Sequence, residues 1–273
     1  MKTLKNHTLI YDNDCPLCKV YTDGFIKASM LDINGRKPFN QLTHEEQHYI
    51  DAKRATNEIA LINTKNKTVI YGIDSLLKVL GNSFPIIETI GNLKPIKFFL
   101  KKLYSFISYN RKVIIPSKSN NKNQLQCVPD FNHTYRFIYI IFAIIITTLV
   151  LFKFSNSIMI LPKSTIQREL VLTFGQIIFQ SLFLIRLNTQ GIINYTGNLM
   201  TVSLMGSIIL IPLLILSSFV VFSQLTLLIY FGITVLLMFL EHSRRVKLLE
   251  LPLYLSYTWV LYRIIASIII LKI

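Results

Sequence analysis

The chain has 273 residues, enough for two domains, and a net charge of +15. Such a charge can mark a nucleic-acid binder, but no recognition motif accompanies it, so a nucleic-acid partner is not expected. The composition is uneven: all three cysteines and all carboxylates except Glu169, Glu241 and Glu250 precede Phe137, and long apolar runs follow it. This pattern predicts a soluble domain over 1–116, a polar linker over 117–133 and a membrane domain over 134–273.

In chain order, Thr8 to Tyr11 reads as a first strand and Lys19 to Met30 as a helix, with Asp14-Cys15-Pro16-Leu17-Cys18 between them. A loop containing Asn34, Gly35 and Pro38 follows, then a helix from about Glu45 to Arg54. Ile59 to Ile62 and Thr68 to Tyr71 form a predicted hairpin across the polar turn Asn63 to Lys67. Asp74 or Ser75 is placed to cap a short helix through Leu80, and Pro95 to open a longer basic and aromatic helix ending near Tyr109. A βαβ start followed by a hairpin and a helix is the order that an α/β, thioredoxin-like domain requires.

The CxxC pair carries the chemistry. At a strand-to-helix junction the first sulfur sits over unpaired helix N–H groups, which stabilise a thiolate. Two intervening residues in one helical turn let Cys18 reach back to Cys15, so a mixed disulfide on Cys15 can be resolved within the chain. Pro16 suits the first helical position, where its missing N–H costs nothing. On this reading Cys15 attacks a thiol or disulfide partner, protein or small molecule, Cys18 resolves, and no cofactor is needed.

A second constellation competes. His44-Glu45-Glu46-Gln47-His48 matches HExxH, but Thr43 with Glu46 three residues on also makes a capping box, which favours a solvated first helical turn over a metalloprotease. The alternative function is structural zinc binding by Cys15, Cys18, His44 and His48 beneath a transporter or scaffold, although the spacer exceeds that of the usual finger. Cys127 falls in the linker and reads as a free thiol. No cysteine follows it, which excludes a disulfide relay through the membrane.

A spanning helix needs about 20 apolar residues. Phe137 to Phe152, Leu170 to Leu187, two segments within Leu199 to Leu240 folding back near Phe222 to Gln224, and Leu251 to Leu271 give an all-α bundle of about five expected spans. The second is diluted by Gln176, Gln180 and Arg186. No apolar signal core precedes the CxxC, so the first domain is expected in the cytosol of a bacterial cell, with the bundle in the cytoplasmic membrane. Five spans would place Arg244-Arg245-Val246-Lys247 on the same inner side. The lysines and arginines from Lys94 to Lys122 suit anionic lipid headgroups. His133 and His242 read as flanking the spans, which argues against a bis-histidine haem. Arg263 lies inside the last span and calls for a partner, with Glu169 and Glu241 as candidates, or for a polar cavity.

Asp12-Asn13-Asp14-Cys15-Pro16-Leu17-Cys18 resembles the DxxCxxC signature of the thiol-disulfide oxidoreductase DCC family, with Asp12, Cys15 and Cys18 at its three positions. The resemblance continues through Gly72-Ile73-Asp74-Ser75 and from Tyr104 to Arg111, where Asn110-Arg111 is similar to the closing motif of the family. It implies a thioredoxin-like fold and thiol-disulfide exchange over roughly residues 5 to 116. Asp12 would then assist proton movement or hold the loop as a turn-stabilising Asx residue. Thioredoxin relatives place a cis proline opposite the cysteines, whereas Ala55 to Ala60 contains no proline; this implies a different groove or slow exchange.

Overall fold

The computed structural model describes residues 1–117 and 129–272. Cys127 therefore lies outside the described residues. The chain forms two compact units, Met1–Tyr135 and Arg136–Ile273.

The first unit is built on β1 (His7–Tyr11), whose Leu9, Ile10 and Tyr11 are all buried. A strand apolar on both faces belongs inside a sheet. Accordingly β1 pairs in parallel with β2 (Arg36–Pro38) and antiparallel with β3 (Ala60–Asn63), which in turn pairs antiparallel with β4 (Thr68–Tyr71). The order is β2-β1-β3-β4, so β2 and β4 are the edges, and β2 ends on Pro38. Side chains alternate across the sheet. Leu9, Tyr11 and Leu61 join Cys15, Cys18 and Val79 on one face, while Ile10, Ala60 and Ile62 join Phe39 and Ile50 on the other. With α1 (Pro16–Lys27) joining β1 to β2, this is the small thioredoxin-like domain expected.

Four local readings change. The loop around Gly35 contains β2, which is too short and polar to show alternation. The helix expected over 45–54 splits into α2 (His44–Tyr49) and α3 (Ala52–Asn57), because Asp51 Oδ1 accepts from Arg54 N at 2.9 Å and starts a new helix while Ile50 buries. Neither Asp74 nor Ser75 caps α4 (Ile73–Ser83). The cap is Gly72 at φ +63°, and Ser75 turns its hydroxyl onto the Ile70 carbonyl at 2.7 Å. A side chain at position 72 would be strained by that φ and would meet the Glu58 carboxylate at 2.9 Å. A short α5 (Pro85–Gly91) precedes α6 (Lys94–Ile114), which Pro95 opens as expected but which runs past Tyr109 because Asn110, Arg111 and Val113 are buried.

In the second unit, four helices among the described residues are long and apolar enough to cross a membrane: α7 (His133–Ser155), α9 (Thr189–Leu216), α10 (Gln224–Leu248) and α11 (Tyr254–Lys272). The break between α9 and α10 falls near the expected position, with Ser223 accepting from Thr226 N to start the new helix. The expected second span is instead α8 (Ile166–Ser181), whose 16 residues reach about 24 Å against a hydrocarbon core of about 30 Å. The residues α8 buries are polar: Glu169, Thr173, Gln176 and Gln180. Its apolar residues Leu170, Val171, Phe174 and Ile178 face outward, and by length and composition the candidate spanning helices among the described residues number four rather than five.

Two polar residues of the bundle also differ from expectation. His242 does not flank a span: it lies inside α10, buried, 3.0 Å from the Tyr195 hydroxyl and 3.1 Å from Ser256 Oγ. Neither candidate carboxylate serves Arg263. Glu169 binds Arg168 at 2.7 Å and Ser164, and Glu241 binds Arg244 at 2.6 Å and Arg245 at 2.8 Å. Arg263 instead lies over the Trp259 ring at 5.0 Å, a cation–π contact that keeps its charge inside the apolar bundle.

Four crossings put the α7–α8 loop and the end of α10 on one side of the membrane, whereas five put them on opposite sides. Impermeant thiol labelling of Ser157→Cys and Ser243→Cys should therefore reach both from the same side. Labelling from opposite sides would restore α8 as a span.

Candidate active site

Cys15 is the N-cap of α1 and Pro16 its first helical residue. The turn ahead of it is set by Asp12. Cys15 N donates to the Asp12 carbonyl at 3.2 Å, and Asp14 N donates to Asp12 Oδ1 at 2.9 Å. This is an Asx turn, which delivers the chain from β1 into the helix. The other carboxylate oxygen, Oδ2, meets Arg111 Nη2 at 3.3 Å and Lys112 Nζ at 3.4 Å. Arg111 also donates to the Thr56 carbonyl at 3.0 Å and to Ser108 Oγ at 3.3 Å, and Ser108 Oγ in turn donates a hydrogen bond to the Asn57 carbonyl. Asp12, Arg111 and Ser108 are all buried.

This network positions charge beside the thiols. The Cys15 pKa is lowered to about 6, chiefly because the Cys18 thiol donates to it, with help from the Cys18 backbone N–H and the Arg111 guanidinium and against burial and Asp12. The helix N-terminus contributes as the sequence suggests, but the second thiol contributes more. Cys18 is driven the other way, first by donating to Cys15, then by burial and by the Cys15 charge. Burial also pushes up the phenols of Tyr21, which bonds the Cys18 sulfur, and of Tyr104, which accepts from Ile59 N at 2.8 Å. The pair is thus poised as one thiolate and one thiol sharing a proton.

Access differs between the two sulfurs. Cys15 is 0% exposed and Cys18 7%. A cavity of about 280 Å³ borders Cys18 and is lined mainly by apolar and aromatic groups, among them Leu17, Tyr21, Phe25 and Tyr104, with Asp12 and Arg111 also contributing. Any reagent would reach Cys15 only if its covering residues moved aside.

The structure brings Asp12, Cys15 and Cys18 together but leaves the HExxH residues apart from them. Thr43 and Glu46 make the capping box, with Thr43 N donating to Glu46 Oε2 at 2.8 Å. His44 and His48 are exposed on α2. Among the described residues no group of three or more His, Cys, Asp or Glu side chains is placed to hold a metal, so the zinc reading does not fit this arrangement. Arg111 and Lys112, counted in the basic run facing lipid, turn inward to Asp12 instead. Ser108 and the Thr56 carbonyl escaped the sequence reading altogether: a serine two residues before a motif carries no signal, and a backbone carbonyl has none.

A thioredoxin-like sheet with a CxxC at the first helix N-terminus defines a dithiol domain of the thiol-disulfide oxidoreductase class. Residues 9–115 match the family model described as DCC1-like thiol-disulfide oxidoreductase, and the apolar helices of the second unit lie outside the match. No curated protein and no solved structure matches the chain.

The opposed thiol shifts fix a pH dependence. Alkylation of Cys15 should titrate near pH 6 while Cys18 stays protonated. From pH 6 towards the ordinary thiol value of 9.0 the unfolded chain holds more protons than the folded one, so stability rises with pH. Above that value the unfolded chain loses the Cys18 proton that the folded one keeps, and stability falls. Denaturant titrations across this range should show the maximum, and Cys15→Ser should remove its rising limb.

Proposed function

We propose that this protein is a membrane-anchored thiol-disulfide oxidoreductase in which Cys15 is the nucleophile and Cys18 the resolving thiol. The observation that carries this reading is geometric: Cys15 caps the N-terminus of α1 with Cys18 within the first turn, on a loop that the buried Asp12–Arg111 pair holds in place. In the reducing direction the Cys15 thiolate attacks one sulfur of a partner disulfide, forming a mixed disulfide and releasing the other sulfur as a thiolate. Cys18, on losing its proton to solvent or to the departing thiolate, then attacks Cys15 Sγ. The Cys15–Cys18 disulfide forms, the second partner sulfur leaves, and two electrons have passed to the partner. Asp12 acts as a positioning residue: its carboxylate is spent on Asp14 N, Arg111 and Lys112.

The partner is a thiol or disulfide compound, protein or small molecule, and we place the dithiol domain on the cytosolic side of a bacterial cytoplasmic membrane. The lysines that precede the first span support this side, since basic residues near span ends favour the inner face. The Arg244 and Arg245 cluster at the far end of α10 argues against it less than its charge suggests, because Glu241 pairs with both and offsets one of the two charges.

Trapping tests the mechanism. Cys18→Ala should accumulate a mixed disulfide through Cys15 that is released by dithiothreitol, and Cys15→Ala should accumulate none. Accumulation in Cys15→Ala alone would reverse the two roles. Because Cys15 is covered, iodoacetamide should modify it more slowly than a free thiol of the same pKa, and mild denaturant should close the gap.

A further inference from the structure

The dithiol domain carries a second surface that its thiols do not use. Ile86 on α5 is 73% exposed, and Phe98 and Phe99 on α6 are 65% and 63% exposed. Ile90 and Leu93 are exposed between them. The surface exists because α6 buries residues fully only from Ser108 onward, with Tyr104 the side chain before it that reaches the core. Its first half is left with bulky apolar groups that the domain does not cover.

The charge on this face is predominantly positive, its carboxylates being Glu88 on α5, which lies 3.7 Å from Lys78, and Asp74. Lys94, Lys97, Lys101 and Lys102 are interleaved with the two phenylalanines. Lys97 and Lys101 share Asp74 at 2.8 and 3.7 Å, leaving a positive balance, and Lys102 lies over the Phe98 ring at 5.6 Å. Protein interfaces are depleted in lysine, and a second copy would set these lysines against their own kind. Aromatic and aliphatic side chains ringed by lysines are instead the pattern of a helix lying in a bilayer interface. Distance permits it. Asn110 Nδ2 donates to the Tyr135 carbonyl in the first turn of α7 at 3.0 Å, and Phe98 lies 12 residues back along α6, about 18 Å of helix, from that point.

We propose that α5 and the first half of α6 dock on the surface of an anionic bilayer, with Phe98 and Phe99 entering the boundary between headgroups and acyl chains and the lysines meeting lipid phosphates. Docking holds the dithiol domain against the membrane rather than leaving it free on its linker.

The full-length chain, with Cys15, Cys18 and Cys127 replaced by serine, tests this with an environment-sensitive fluorophore on Phe98→Cys or, as a control on the α1–β2 loop, on Ile33→Cys, which replaces a side chain 86% exposed. Reconstituted into phosphatidylcholine vesicles containing phosphatidylglycerol, the probe at 98 should be quenched by nitroxide-labelled lipid and the probe at 33 should not. Quenching at 98 should weaken in pure phosphatidylcholine and at high salt. Adding Lys94→Gln and Lys102→Gln should lower the ratio of docked to undocked forms by roughly 30-fold, taking each lysine at the usual worth of a cation near an anionic surface. With all native cysteines present, amide exchange over 94–103 should slow when phosphatidylglycerol is included. Equal quenching at 98 and 33, or quenching and exchange indifferent to lipid charge, overturns the proposal. Energy transfer between copies labelled at 98 without lipid quenching overturns it in favour of a dimer face.

Discussion

The ion pair between Asp12 and Arg111 is the constraint on which the dithiol domain turns. It links the end of β1 to the far end of α6, 99 positions away in sequence, and both partners are buried. Such a pair contributes little net stability over an apolar replacement, but losing one partner strands the other charge at a cost of about 3–5 kcal/mol. It therefore enforces an arrangement rather than simply adding stability. Through the Asx turn the same carboxylate aims Cys15, and through Thr56 and Ser108 the same guanidinium fixes α3 and α6 beside the sheet. The active loop and the closing helix of the domain are held through one carboxylate, Asp12, and its basic partners Arg111 and Lys112.

That economy explains what was legible in the sequence and what was not. The CxxC with Pro16, the apolar β1, the hairpin and the capping box at Thr43 each declare themselves within a few residues, because spacing and local hydrogen bonding determine them. Arg111 does not. The resemblance marks it beside Asn110, but among lysines its own chemistry reads as one more cation for the lipid surface, and only its long-range partner shows why it points inward. The split between α2 and α3 was readable in principle from Asp51, an N-cap residue in the middle of a supposed helix. The Gly72 cap was hidden because its neighbours Asp74 and Ser75 are better capping residues on paper. In the membrane half, hydropathy located the four long helices and the break before Gln224, but it counted α8 as a fifth because polarity spread over one face is averaged away. His242 was misplaced for the same reason: a histidine near a cationic cluster looks peripheral until its partners Tyr195 and Ser256 are seen.

The membrane helices hold their polar groups by several routes. Glu169 and Glu241 are neutralised by sequence neighbours, His242 is held between two hydroxyls, and Arg263 rests on Trp259. Each solution keeps a polar group inside an apolar bundle without exposing it to lipid. Among the described residues none of these arrangements assembles three or more His, Cys, Asp or Glu side chains where a metal ion could sit.

The edges of the small sheet have a consequence for crowding. β2 is only three residues long and ends on a proline that has no N–H to offer, and β4 is four residues long and follows a turn carrying Lys65 and Lys67. Short, charged and proline-blunted edges are poor templates for a further strand. For a protein confined to two dimensions, where neighbouring copies collide far more often than in free solution, such edges act as a solubility device. They let the copies slide past one another without knitting their sheets together.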